Sequence, residues 1–459
     1  MKTGFHALIL AAGKGTRFKS DTIKVLHSLM GKSMLRIVLD SVSRLNPEKI
    51  HVVVGYQKER VIQEFDAENT DFVEQKVQLG TAHAVLAAKK MLQKIPDQNL
   101  LVMNGDLPLI RPETLKPLLK QHHRQENDLT FMTAVMENPT GFGRVVFLDD
   151  RTRIIEEKDA TPTQRKIREG NVGIYIFKIR ELLRALPKIS TQNKKGEYYL
   201  TDIIEIMSSS GKKVAACQTQ NVKEIVGVND RYEMARAIEV LRQRKNQALS
   251  KGGVTFYDPS STWIDFDVKI GSDTIIYPSV FIEGQSVIGK HCILYPGVHV
   301  INSRVGDSVK LLTSTVIEDS RVTQNCQLGP FTRLRPGCVI KPGAKTGNFV
   351  EMKNTVFGSK SKAMHLSYVG DTIVGERVNI GAGTITCNYD GLKKSKTEID
   401  DGAFIGSGTQ LIAPVKVGKG AYVGAGSTIT KDVSPDALAV TRVQQQEKRG
   451  WASRRKRRK

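Results

Sequence analysis

Short apolar runs punctuate the first half of the chain: "HALILA" from His6, "IHVVVGY" from Ile50, "NLLVMNGD" from Asn99, "LTFMTAVM" from Leu129 and "VGIYIFK" from Val172. Runs of this length, rich in β-branched residues, read as buried strands, and several are separated by helical patterns such as Ala82 to Gln93. The alternation predicts an α/β, Rossmann-like domain over residues 1–229, with a mostly parallel sheet covered by helices. Ligands of such sheets sit beyond the carboxyl ends of the strands. Both "LILAAGKGTR" and "LLVMNGD" run out at that edge. Residues 230–250 then space Met234, Ile238, Leu241 and Leu249 for a linking helix that stops before Gly252 and Gly253.

Beyond that helix the periodicity changes to six. Ile270, Ile276, Ile282, Ile288, Leu294 and Val300 form one series, and Val305, Leu311 and Ile317 another. Val322, Leu328, Leu334 and Ile340 follow, then Val374 and Ile380, then Ile399, Ile405, Leu411, Val417, Val423 and Ile429. Six matches neither an α-helix nor a simple strand alternation. It does match a parallel β-helix with three flat sides, each turning one aliphatic residue inward, over residues 251–445. The register breaks at "CNYDGLKKSKTE", a stretch too long for a corner, so that loop should reach something. By itself the repeat is equally compatible with a spacer.

Composition narrows the class. A chain of 459 residues with 40% hydrophobic and 25% charged residues is that of a folded protein of two or so domains. No window reaches the ~18 apolar residues of a membrane span, which predicts a cytoplasmic protein without stable membrane insertion. Cys217, Cys292, Cys326, Cys338 and Cys387 never form a C-x-x-C pair, so they read as reduced, mostly buried thiols. The net charge of +22 owes much to the terminal "RGWASRRKRRK", part of a basic tail at residues 446–459 that is expected to be disordered. That tail reads either as a solubilising end or as an attraction to polyanions, and no aromatic platform or helix-turn-helix pattern points to nucleic acid.

Candidate chemistry begins in "GKGTR". It is neither a Walker A nor a G-x-G-x-x-G sequence, because Phe18 stands where the third glycine would fall. A glycine-bearing turn after a strand nevertheless lets backbone N–H groups approach phosphate, with Lys14 and Arg17 adding charge; the alternative is an ordinary tight turn. Lys24 can supply another cation. Asp106 is placed to hold a metal, or else to cap the segment before Pro108. In the second half, His365 follows "SKAM" in the β-helix, where it is either an ordinary surface residue or a base.

Taken in order, the motifs resemble the family of bifunctional N-acetylglucosamine-1-phosphate uridyltransferases / glucosamine-1-phosphate acetyltransferases over nearly the whole chain. "LILAAGKGTR", "KVLH", "QLGTAHA", "GDLPLI", "PTGFGR", "EEKDAT", "GEYYLTDII" and "GVNDR" are similar to its nucleotidyltransferase half. "RLRPG", "GNFVEMK", "HLSYVGD", "VNIGAGTITCNYDG" and "TRVQ" are similar to its acetyltransferase half, a left-handed β-helix of hexapeptide repeats.

The resemblance implies that Leu10, Ala11, Gly13, Gln75, Gly80 and Thr81 hold UTP, with Arg17 and Lys24 facing its phosphates. It implies Mg²⁺ at Asp106 and Asn229, and N-acetylglucosamine phosphate at Gly143, Glu156 and Asn171. In the second half it implies His365 as general base and Arg335, Lys353, Tyr368 and Asn379 around glucosamine phosphate. Ala382, Asn388, Tyr389, Ser407, Ala425 and Arg442 are implied for acetyl-CoA, within a homotrimer whose loop at residues 388 and 389 reaches a neighbouring subunit. The product would be UDP-N-acetylglucosamine.

The chain departs from the family pattern at Ile23, Ala82, Asn104, Val172 and Gln444, which bears on affinity more than on reaction type. Two other readings stand beside this one. One keeps nucleotidyl transfer alone, with the β-helix as an oligomerising or allosteric module. The other is a polyanion-binding scaffold driven by the basic tail.

Overall fold

In the computed structural model, which describes residues 4–65, 70–148 and 151–456, the Phe5–Leu10 strand lies inside a nine-stranded sheet. The order along the sheet is Val214–Gln218, Leu129–Val135, Glu169–Lys178, Asn99–Asn104, Phe5–Leu10, Lys49–Val54 and Thr70–Glu74. All five strands read from the sequence are present. The expected mostly parallel sheet is instead mixed, because Glu169–Lys178 runs antiparallel between Asn99–Asn104 and Leu129–Val135. That strand also pairs antiparallel with Gly143–Leu148, which continues into Arg151–Ile155. The strands Thr70–Glu74 and Arg151–Ile155 are edge strands with polar and part-exposed positions, so no apolar run announced them, whereas Gly143–Leu148 carries the short apolar run Val145–Leu148 and went unread. The helix expected over Ala82 to Gln93 starts at Thr81 and is interrupted at Ala88, leaving Thr81–Ala87 and Lys89–Leu92.

Contacts divide the chain into two units, 1–241 and 242–459, with the division inside the single helix Arg231–Lys251. In the second unit, the end of that helix is fastened to the β-helix. Lys245 donates to the carbonyls of Phe266 and Val268, and Asn246 to those of Pro259 and Thr262.

The β-helix has three parallel sheets of eleven, ten and nine strands, starting at Thr255–Phe256, Trp263–Ile264 and Lys269–Ile270. Its inward residues share one core, and the six-residue series is continuous through it. The gap left between Ile340 and Val374 is filled by inward Thr346, Met352, Phe357, Ala363 and Val369, all fully buried. Two residues before each inward position lies a second buried, small residue. Cys292, Cys326 and Cys338 occupy that place, and all five cysteines are free.

From Ile276 to Ile429 every irregularity in length falls at one corner: from the first sheet to the second, and from the third to the first, the step between inward residues there is always six, although the opening coil takes eight from Phe256 to Ile264. From the second to the third it is five at Val300 to Val305, Ile317 to Val322, Met352 to Phe357 and Val369 to Val374, and thirteen from Thr386 to Ile399. The four short steps place Asn302, Asp319, Asn354 and Asp371 in the left-handed region, with φ of 45°, 41°, 46° and 49°. Asn and Asp tolerate that conformation better than other non-glycine residues, so a tight corner selects them. Within the basic tail, expected to be disordered, Trp451–Lys456 instead forms a short helix in which Arg455 lies 5.2 Å from the Trp451 ring, and residues 457–459 lie outside the described residues.

Candidate active sites

At the carboxyl edge of the first unit's sheet, a cavity of about 330 Å³ is lined by Leu10, Ala11, Gly13, Lys24, Gln75, Gly80, Thr81 and Asp106. Every one of these was read from the sequence, though they come from segments up to 96 residues apart, 106 − 10. Local structure explains their placement. Gly80 has φ 115°, and a Cβ there would lie 2.5 Å from the Tyr198 carbonyl, so only glycine fits. Thr81 opens a helix, and its hydroxyl accepts from the Leu200 N–H. Gln75 is buried, and its amide donates to the Gly80 carbonyl at 3.2 Å.

Lys24 Nζ lies 2.5 Å from Asp106 Oδ2. Arg17 donates to Asn229 Oδ1 at 2.9 Å. Asp106 Oδ1 and Asn229 Nδ2 lie 3.7 and 3.8 Å from the position a Cβ on Gly227 would take, so the two side chains share one neighbourhood. Asp106 also accepts the Val228 N–H through its carbonyl, and caps no helix.

A second cluster holds the residues expected for the sugar. Gly143 pairs with Asn171 across the sheet, and Glu156 Oε1 lies 3.6 Å from the Gly143 Cβ position. Asn171 is buried and donates to Tyr175 Oη at 2.8 Å. Burial pushes the Glu156 carboxyl up, although Thr201 donates to it at 2.9 Å. Beside it, burial and the Glu156 charge push Asp202 up to about 6. Thr201 was missed by the sequence reading. It lies within the quoted "GEYYLTDII", but nothing in that string shows which side chain turns toward Glu156.

The departures are accommodated. Ile23 keeps a proline-like φ of −55°, and its N–H donates to Gln57, a bond proline could not make. Ala82 and Val172 are buried, and Gln444 is exposed. Asn104 lines the cavity next to Asp106.

In the β-helix, His365 ends the strand Lys362–His365 of the first sheet and stands exposed at the corner leading to the second. The next three coils place Ala382, Ser407 and Ala425 at that same corner, linked by Gly408 N–H to Ala382 carbonyl and Gly426 N–H to Ser407 carbonyl. Each of the three is flanked by glycines, in "GAG", "GSG" and "GAG". A Cβ on Gly381 or Gly406 would lie 2.5 or 2.4 Å from the backbone nitrogen of Ser407 or Ala425. The result is an edge nearly free of side chains, with Arg442 at its end, 3.4 Å from the Gly424 Cβ position.

Arg335, Lys353 and Tyr368 belong to the second sheet. Glu351 pairs with Tyr368, and Arg335 donates to Glu351 at 3.0 Å. Asn379 stands on the first sheet, paired with Lys362 and Phe404. Asn388 and Tyr389 lie at the corner between the second and third sheets, where Tyr389 bridges Lys394 in a small hairpin. A single chain therefore brings His365 together with Ala382, Ser407, Ala425 and Arg442, and Asn388 close to Lys353 through Asp371, but places Asn379 on a different sheet from Lys353 and Tyr368. The sequence reading also missed Lys394, whose ammonium lies beside that of Lys353 and is thereby pushed to a lower pKa.

Comparison with known proteins agrees with both halves. The nucleotidyl transferase family matches residues 6–265, and the bacterial transferase hexapeptide family, six repeats, matches residues 396–431. The bifunctional protein GlmU of Listeria monocytogenes serotype 4a is 46% identical over 450 residues, covering 97% of this chain and 98% of that protein. GlmU of Thermotoga maritima is 45% identical over 446 residues, with the same coverage.

The chain belongs to the GlmU family.

A solved structure, a putative glucose-1-phosphate thymidylyltransferase from Bacillus anthracis, is also similar, at 16% identity and a TM-score of 0.41, covering 52% of this chain and 95% of that one. The GlmU relatives cover 97% of the chain, and so both units. No helix among the described residues is long and apolar enough to cross a membrane.

Proposed function

We propose that this GlmU-family chain makes UDP-N-acetylglucosamine in two steps, acetylating glucosamine 1-phosphate on the β-helix and then transferring uridylyl from UTP in the α/β unit. The observation that carries the reading is the convergence of the glycine turn, Gln75, the Gly80–Thr81 helix start and the Lys24–Asp106 pair in one cavity. Gln75 suits the donor and acceptor edge of uracil, and the Thr81 helix start and Lys24 suit phosphate. The sugar phosphate attacks the α-phosphorus of UTP in line, a P–O bond forms, and pyrophosphate leaves with the electrons of the broken bond. No protein nucleophile is required, so positioning and charge neutralisation by Lys24 and Arg17 dominate.

The site fits Mg²⁺. Asp106 and Asn229 offer one carboxylate and one amide oxygen, a hard-oxygen pair already paired with the cationic Lys24 and Arg17. Among the described residues no cluster of three or more His, Cys, Asp or Glu could hold a metal alone, which suits an ion that takes its other ligands from phosphates and water. Bound there, Mg²⁺ would offset charge on the triphosphate.

On the β-helix, neutral His365 takes a proton from the substrate amine as the nitrogen attacks the thioester carbonyl, and the C–S bond breaks to release CoA thiolate. The bare edge of Ala382, Ser407 and Ala425 suits an extended pantetheine arm, and Arg442 suits its phosphates. Placement of Asn379 on the first sheet, apart from Lys353 and Tyr368 on the second, supports a site shared between copies, hence a homotrimer, in the cytoplasm where its nucleotide and thioester substrates are found.

The test supplies both sets of substrates to His365→Ala and Asp106→Ala. Each variant should lose its own reaction by about 10³-fold or more and keep the other. Loss of both reactions in a folded variant refutes separate sites.

A further inference from the structure

The four tight corners of the β-helix hold Asn302, Asp319, Asn354 and Asp371 in the same backbone conformation. Asparagine therefore serves the corner as well as aspartate does. Asp371 nevertheless buries a carboxylate, at 8% exposure, and both of its oxygens are engaged. Oδ1 accepts from Asn354 Nδ2 at 2.7 Å, and Oδ2 accepts from Asn388 Nδ2 at 2.5 Å.

Burying a charge costs free energy unless hydrogen bonds and counter-charges offset it. Here the two amides and the nearby Lys353 and Lys394 do so: burial pushes the carboxyl up, and they overcome it to hold the group ionised, below its usual range. The backbone ties the same three elements together, with Asp371 N–H donating to the Lys353 carbonyl and Thr397 N–H to the Asp371 carbonyl. Asn388 is the root of the thirteen-residue step. Its carbonyl accepts from Ser395 N–H at 2.9 Å, closing the hairpin that carries Tyr389 and Lys394.

We infer that Asp371 is a positioning residue for acetyl transfer: its carboxylate locks the root of the 388–396 hairpin to the coil bearing Lys353, so that Lys394 and Lys353 stand together to receive the phosphate of the amino sugar. This rests on the reading of Lys353 and Asn388 as substrate contacts. The carboxylate touches no reacting atom, and it acts through Asn388 and the two ammonium groups.

The conservative probe is Asp371→Asn, which keeps size and corner conformation but can no longer accept from both amides. In the full-length protein, the KM for glucosamine 1-phosphate should rise at least tenfold, with kcat at saturation within threefold of the parent. Amide exchange at Ser395 should rise in the same variant, and uridylyl transfer to added N-acetylglucosamine 1-phosphate should be unchanged. A purely structural role would lower the active fraction, and so kcat, at constant KM. That result, or a KM within twofold of the parent, overturns the inference. Lys353→Ala separates the levels: a raised KM there beside an unmoved one in Asp371→Asn overturns this inference alone, whereas an unmoved KM in Lys353→Ala overturns the site reading with it.

Discussion

The two units solve the same problem of placement by opposite means. In the α/β unit, side chains far apart in sequence meet because strands and helices bring them to one sheet edge: Asp106 with Lys24, Arg17 with Asn229, Thr201 with Glu156. In the β-helix, residues meet because the chain returns to the same angle once per coil, after 25 residues from Ala382 to Ser407 and 18 from Ser407 to Ala425, so the three differ only by their coil. A site built by convergence depends on the whole unit. A site built by stacking depends on neighbouring coils.

The sharpest way to break this contrast is to damage one coil. Phe357 is fully buried, and Phe357→Ala should cost about 3–5 kcal/mol. Buried thiols report it: modification of Cys338, whose neighbour Val339 pairs with Val356 in the Phe357 strand, should speed up by roughly 10²-fold or more. Cys217, in the α/β unit, should react at its parental rate. Equal acceleration of both thiols would mean that the two units are one cooperative structure.

A smaller effect sharpens the convergent side. Thr201→Val removes the hydroxyl that donates to Glu156 from 45 positions away. A hydrogen bond to a charged group is worth about 1.5–3 kcal/mol, so the KM for N-acetylglucosamine 1-phosphate should rise about tenfold, while acetyl transfer is untouched.

The smallest effect is one of pH. Asp202, pushed from the usual 3.8 up to about 6, binds its proton more tightly folded than unfolded. Stability of the α/β unit therefore falls as pH rises from about 4 to 6, and the penalty persists above that window. Asp202→Asn should stabilise the unit by about 1 kcal/mol at pH 7.5, allowing for solvent screening at a partly exposed carboxyl, and by nothing below pH 4. Melting curves at the two pH values check this.

The same contrast governs what could be read from the sequence. A period of six is set by the corner geometry of every coil, so the β-helix was visible from its aliphatic residues alone. Where inward positions are Thr346, Ala363 or Thr386 the series faded, because threonine and alanine fill the interior without looking apolar or large. In the α/β unit the buried strands were visible, but pairing direction was not. Nothing in "VGIYIFK" distinguishes a parallel from an antiparallel neighbour. Residues of the nucleotide cavity were legible in part because backbone approach and phosphate charge demand particular types at Gly13 and Lys24, while Gln75, Gly80 and Thr81 were implied only by the family resemblance. Thr201, Lys394 and Asp371 were not, since a hydroxyl, an ammonium or a carboxylate acquires its role only from a partner distant in sequence.

The corner that absorbs the length variation between Ile276 and Ile429 has a practical consequence. Over those coils the other two edges of the prism keep six residues per step, which holds each aliphatic residue inward. The third edge already accommodates steps of five, six and thirteen without disturbing the coils on either side. It is thus the natural port for grafting: a peptide spliced in at Gly284 or Gly337 would be displayed outward while every coil above and below keeps its register.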